Sequence, residues 1–134
     1  MAESDRDILF SNESFVIGML QAVSGGSIVA AIAQTEALVD EVGRLALLIF
    51  VTLMIGGLVM TILAAYWKHQ YKMWDVKSQA AASRQNAENA TLFNSRAARY
   101  LSYMRRVMLS SVLAILVGFG ELAVALWYSE LLST

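Results

Sequence analysis

One acidic residue, Glu121, lies in an otherwise uncharged and mostly apolar stretch, residues 107–128. A carboxyl group inside a membrane is costly and commonly marks an ion or proton pathway. Small residues three, seven and eleven positions earlier share its helical face, namely Gly118, Ala114 and Ser110. Such a face suits a narrow water-filled path or close helix packing. The acid is equally consistent with a protonated Glu that hydrogen-bonds across a subunit interface.

The residues before Glu121 add a second pattern. A basic segment, SRAAR followed by Arg106, precedes the apolar run SSVLAILVGFG, which ends at Glu121. This segment resembles the pore helix of the Orai calcium channels, although that helix is the first of four spans and this one is the last of three. The resemblance implies a cation-selecting ring of Glu121 side chains, with Arg106 opposing cations at the inner mouth. It also implies a hydrophobic gate at Val117 or Phe119. Alternatively, Glu121 passes protons alone.

Other candidate binding residues are basic. Lys68, Lys72 and Lys77 follow an apolar stretch and are expected either to bind anionic lipid headgroups or simply to set the topology. His69 is expected to be a structural hydrogen-bonding residue. With one His and no Cys, the sequence predicts no metal site or cofactor. It contains no catalytic or phosphate-binding motif, so we expect neither an enzyme nor a nucleic-acid partner.

The elements that must position these residues are transmembrane helices. The chain has 134 residues, of which 57% are hydrophobic and 16% are charged, and it contains no Pro. Crossing a bilayer takes about 20 apolar residues in a helix. Residues 45–67 and 107–128 meet this requirement, and residues 14–35 meet it less clearly because polar residues dilute the stretch. We predict an all-α integral membrane protein with three spans; a surface helix is the alternative for 14–35.

Charge predicts the orientation of these spans. Eight of the ten Lys and Arg residues lie in the segment 68–106, with two acids, whereas nine acids lie elsewhere. The positive-inside rule places this basic segment in the cytoplasm, and we expect the membrane to be a bacterial inner membrane. The acidic N-terminal segment 1–13 then lies inside. The acidic loop 36–44 and the C-terminal segment 129–134 lie outside.

The basic segment 68–106 is predicted to be a helical hairpin that extends the second and third spans. Neither Gly nor Pro occurs between Gly57 and Gly118, and Ala-rich runs favour helix on both sides of a polar cluster at 86–94. We therefore predict a turn near Asn89. A lone hairpin of this length is marginally stable, so we expect it to pack against copies of itself or other membrane subunits.

Paired glycines occur inside the first two predicted spans, and paired glycines permit close helix packing. They are Gly25, Gly26, Gly56 and Gly57. For the first pair, a break in the helix is the alternative. Together the features favour a small self-assembling membrane protein, with membrane lipid around it and a cation or proton path at Glu121. The alternative is an accessory subunit of a respiratory, photosynthetic or secretion complex.

Overall fold

The chain folds entirely into helices over the residues described by a computed structural model, which gives the backbone of residues 3–133 and the side chains of residues 11–132. Parts of the predicted segments 1–13 and 129–134 lie outside the described residues. The helices are α1 (Glu3–Ala33), α2 (Thr35–Val42), α3 (Arg44–Ser83) and α4 (Ala87–Ser133). Three of them, namely α1 from Ser11 onward, α3 and α4, are long and apolar enough to cross a membrane. The predicted all-α class with three candidate spans is confirmed.

The helices α3 and α4 are much longer than a bilayer requires. They contain 40 and 47 residues, which correspond to lengths of about 60 and 70 Å at about 1.5 Å per residue. The hydrocarbon core of a bilayer is about 30 Å thick. Each helix that crosses it therefore continues well beyond the apolar layer, and its polar extension carries most of the basic residues.

These two helices pack antiparallel along one continuous seam. The buried residues of α3 recur at steps of three and four, and those of α4 at steps of seven, four and three, which is typical of coiled-coil packing. The buried residues are Leu47, Phe50, Met54, Gly57, Thr61 and Ala64 on α3, and Ala97, Met104, Ser111, Ile115 and Gly118 on α4. Small residues in this set let the two backbones approach closely within the apolar part of the pair.

The turn between α3 and α4 comes earlier than the sequence predicted. It lies at residues 84–86 instead of near Asn89. Gln85 has φ 57°, and the amides of Gln85 and Asn86 donate to the carbonyls of Ala82 and Ala81 at 3.0 Å each. This pair of hydrogen bonds defines a Schellman motif. The Asn86 side chain then caps α4 by accepting from the Asn89 amide at 3.2 Å.

Helix α1 runs antiparallel to α3 along its apolar part. Near the start of α1, Ser14 accepts a hydrogen bond from Lys68, and near its end Ala31 packs in one cluster with Leu47 and Phe50. The segment Ser24–Ser27 is continuous helix, so the alternative of a break at the glycine pair is wrong.

The connection 36–44, predicted from the sequence to be a loop, is mostly the short helix α2. It follows α1 after a turn at Gln34. Leu38 and Val39 of α2 pack against the apolar cluster at this end of the molecule. Gly43 separates α2 from α3 with φ 83° and ψ 157°, a conformation essentially restricted to glycine.

Candidate functional site

Glu121 lies at the edge of the seam between α3 and α4. Its side chain is half-buried, and its Oε2 atom is buried without a hydrogen-bond partner in the described part of the chain. Gly118, one turn earlier, is buried against α3, and a methyl group added there would lie 2.5 Å from Cε of Met54. A buried carboxyl oxygen without a partner is costly. A proton, a neighbouring subunit or an ion would satisfy it.

Four of the predicted pathway residues share one flank of α4. Arg106, Ser110, Val117 and Glu121 follow one another at steps of four, seven and four residues, which keeps them on nearly the same side of a helix. Arg106, Ser110 and Val117 are exposed, and the Ser110 hydroxyl donates to the carbonyl of Arg106 at 3.0 Å. This set is called the Glu121 flank below. Ala114, which lies between Ser110 and Val117, is half-buried.

Phe119 lies on the opposite flank of α4. Two residues along a helix correspond to a rotation of about 200°, so Phe119 and Glu121 point in nearly opposite directions. The Phe119 ring packs edge-on to Phe50 at 5.5 Å between centroids. It also lines a cleft together with α1 and α2 residues, including Ala31 and Leu38. The structure therefore brings Val117, but not Phe119, onto the flank of the acid.

The glycines divide into two groups. A Cβ added to Gly25, Gly26 or Gly56 would meet no atom within 4 Å outside its immediate helical surroundings, so none of these three glycines mediates a close contact within the described chain. Gly57, by contrast, lies where α1, α3 and α4 meet. A Cβ there would lie 3.3 Å from both Ile115 Cγ1 and Ser24 Oγ.

A cluster of buried hydroxyl groups surrounds Gly57, and sequence reasoning missed it. Ser24, Thr61 and Ser111 are fully buried, one on each of the three long helices. Ser111 donates to the Gly57 carbonyl at 3.0 Å and Thr61 donates to the Leu58 carbonyl at 2.7 Å. The Ser24 hydroxyl has no partner in the described chain. No pattern in the sequence distinguishes Ser111 from its neighbour Ser110, because both lie in the same apolar run.

The predicted lipid-binding lysines separate into two places. Lys68 and Lys72 line a cleft between α1 and α3 together with His69. Lys77 lies about two turns further along α3, with its ammonium 4.5 Å from the centroid of the Trp74 ring. Trp74 also packs on Phe93 of α4, with 5.6 Å between ring centroids. Lys77 therefore belongs to the polar extension of the helix pair.

The described residues contain no group of three or more His, Asp and Glu side chains arranged to hold a metal ion. No known protein family model, curated protein or solved structure matches this chain.

Proposed function

We propose that this chain is an integral membrane protein of a bacterial inner membrane, with the basic extension of α3 and α4 in the cytoplasm. Three apolar helices support the membrane location. The concentration of Lys and Arg in the segment 68–106 supports the orientation. The N-terminus then lies inside and the C-terminus outside.

Within that membrane, copies of the chain assemble with the Glu121 flank facing a common axis, and the assembly conducts cations or protons. The observation that carries this proposal is the buried Oε2 of Glu121, which has no partner in the described chain. The acid lies on the side of α4 away from the residues that line the cleft with α1 and α2. The other residues of the flank, Arg106, Ser110 and Val117, are exposed and so accessible to another copy.

Each member of the flank has a separate role in this proposal. A ring of Glu121 carboxylates would concentrate cations, as acidic rings do in other channels. Val117, four residues earlier and 58% exposed, would form an apolar constriction that gates by excluding water. Arg106 at the inner end would oppose cations until it moves. If protons are carried instead, the Glu121 carboxyl itself would accept and release them.

Flux through reconstituted vesicles tests this function. Glu121→Gln keeps the shape of the side chain and removes its charge, so we expect flux to fall at least about tenfold. Glu121→Asp keeps the charge and should retain part of the flux. The matched control is Glu130→Gln, an exposed acid on the same helix, and its flux should equal that of the unaltered chain. A pH-sensitive dye and a cation-sensitive dye distinguish the two ions. Flux that is unchanged in Glu121→Gln would contradict the proposal.

A second candidate function is that of an accessory subunit in a larger membrane complex. It is favoured by Gly25 and Gly26 of α1, where an added Cβ would meet no atom within 4 Å and a neighbouring helix could approach closely. Glu121 would then hydrogen-bond to a neighbouring subunit. Native mass spectrometry discriminates the two functions. Self-assembly predicts a single species at an integer multiple of 14.7 kDa, whereas an accessory subunit should co-purify with chains of other masses.

A further inference from the structure

A polar cleft of about 340 Å³ opens between α1 and α3, at the opposite end of the apolar stretch from Glu121. Its polar lining consists of Ser14 and Gln21 from α1 and of Lys68, His69 and Lys72 from α3. Lys68 and Lys72 are one turn apart on the same helix, and the Lys68 ammonium donates to the Ser14 hydroxyl. Two ammonium groups and a hydroxyl thus converge on one small volume.

Among the residues whose side chains the structure describes, those around this cleft carry more positive than negative charge. Glu13 is half-buried beside it and interacts electrostatically with Arg105 and Lys68. Lys68 also experiences the charge of Lys72. Among the described residues, Glu13 thus interacts with two cations, and a third, Lys72, lies beside Lys68.

Aromatic side chains place this cleft at the level of lipid headgroups. Trp67, directly before Lys68, stacks on Tyr100 at 5.5 Å between ring centroids and also contacts Tyr103 at 5.6 Å. Clusters of Trp and Tyr are enriched where a membrane meets water, and Lys residues next to them extend toward the headgroups. With this end of the molecule at the cytoplasmic face, as proposed above, the cleft opens where phosphate groups of the inner leaflet lie.

The remaining wall of the cleft is apolar and open toward the membrane interior. It is formed by Ile17, Gly18 and Ala65. A Cβ at Gly18 would meet no atom within 4 Å, so the space beside it is open to a glycerol backbone or the start of an acyl chain. A free phosphate ion would gain nothing from contact with this apolar wall.

We propose that this cleft binds the headgroup of an anionic phospholipid. Lys68 and Lys72 contact the phosphate, Ser14 donates a hydrogen bond to it, and the acyl chain begins along Gly18. Lys77, which the sequence grouped with these lysines, takes no part because it lies over Trp74. This inference is independent of ion conduction, since the cleft and Glu121 share no residue.

Lipid binding to the purified full-length chain tests the inference. Native mass spectrometry would count adducts during titration with short-chain phosphatidylglycerol and, separately, with short-chain phosphatidylcholine. We expect the anionic lipid to bind about tenfold more tightly. The double variant Lys68→Gln and Lys72→Gln should lose about tenfold in affinity for phosphatidylglycerol. The double variant Lys77→Gln and Arg84→Gln removes the same charge from the extension and should change it less than about twofold.

A second pair of variants tests the shape of the cleft without changing charge. Gly18→Leu fills the groove and should weaken phosphatidylglycerol binding, whereas Gly56→Leu places the same side chain in open space on α3 and should not.

Three outcomes would overturn the proposal. Equal losses of affinity in the Lys68/Lys72 and Lys77/Arg84 double variants would do so, because they would indicate a diffuse electrostatic attraction. Equal binding of the two lipids would also overturn it. Displacement of the lipid by inorganic phosphate at comparable concentration would overturn the lipid assignment.

Discussion

The same helix pair is held together differently in its apolar part and in its polar extension. Between residues 47 and 64, small residues lie in the seam: Gly57 of α3 lies against Ser111, and Gly118 of α4 lies against Met54. Beyond Trp67, rings dominate: Trp67 stacks on Tyr100, and Trp74 packs on Phe93. The buried residues of α3 end at Ala64, and beyond it partly buried rings hold the helix pair together.

The difference follows from what surrounds each part. In a membrane, burying an apolar side chain between helices gains little, because lipid is as apolar as the protein interior. Close backbone contact between small residues then provides the attraction. In water, removing apolar surface from solvent is itself favourable, and large rings remove the most. The cations Lys77 and Arg96, at 4.5 and 4.8 Å from the Trp74 ring centroid, cover its remaining surface.

The largest expected effect comes from breaking the close contact in the apolar part. In Gly57→Leu, the new side chain would meet Ile115 and Ser24, whose atoms already lie 3.3 Å from the position of a Cβ. We expect a loss of about 3 kcal/mol in the free energy of unfolding. The measurement is unfolding in mixed detergent micelles followed by circular dichroism.

The neighbouring glycine provides a matched control for this variant. Gly56→Leu makes the same change in helix propensity at the preceding position, where an added Cβ would meet no atom within 4 Å. Its stability should not fall below that of the unaltered chain. If both variants lose equal stability, close packing at Gly57 does not hold the apolar part together.

An intermediate effect is expected in the polar extension. Trp74→Ala removes the ring that contacts Phe93, Lys77 and Arg96. Because Trp74 is half-buried, we expect the free energy of unfolding to fall by about 2 kcal/mol, less than for a fully buried ring. Hydrogen exchange should accelerate at 70–83 and 87–100 and remain slow at 47–64.

Val76→Ala tests whether any apolar truncation in the extension would have this effect. Val76 is 57% exposed on the same helix, and its truncation should leave exchange rates unchanged. Faster exchange throughout α3 in Trp74→Ala would show that the two parts of the seam unfold as one unit, which contradicts the comparison.

The sequence predicts the three apolar helices well, because the length and hydropathy of a span depend on composition alone. It does not predict the helix phase, because a uniformly apolar run carries no polar face to mark the outside. Ser110 was therefore selected where Ser111 is the buried residue, and Gly56 and Gly57 were treated alike although one is open and the other is packed.

The turn between α3 and α4 was misplaced for a different reason. The Asn-rich cluster at 86–94 suggested a break near Asn89, because Asn commonly caps helices and occurs in turns. In the structure only the first residue of that cluster, Asn86, caps a helix, and Gln85 adopts the left-handed conformation that Gly usually supplies. A local preference for turns does not determine which residue of a polar cluster ends the helix.

The smallest expected effect isolates a single hydrogen bond within the apolar part. Ser111→Ala removes the donor to the Gly57 carbonyl, a bond of 3.0 Å between α4 and α3. Hydrogen bonds between membrane helices contribute about 0.6 kcal/mol on average, so the free energy of unfolding should fall by about that amount. Ser110→Ala removes only a bond to the carbonyl of Arg106 within α4, and its stability should stay the same or rise slightly. A larger loss in Ser110→Ala than in Ser111→Ala would mean that the exposed flank, and not the seam, makes the stabilising contact at this level.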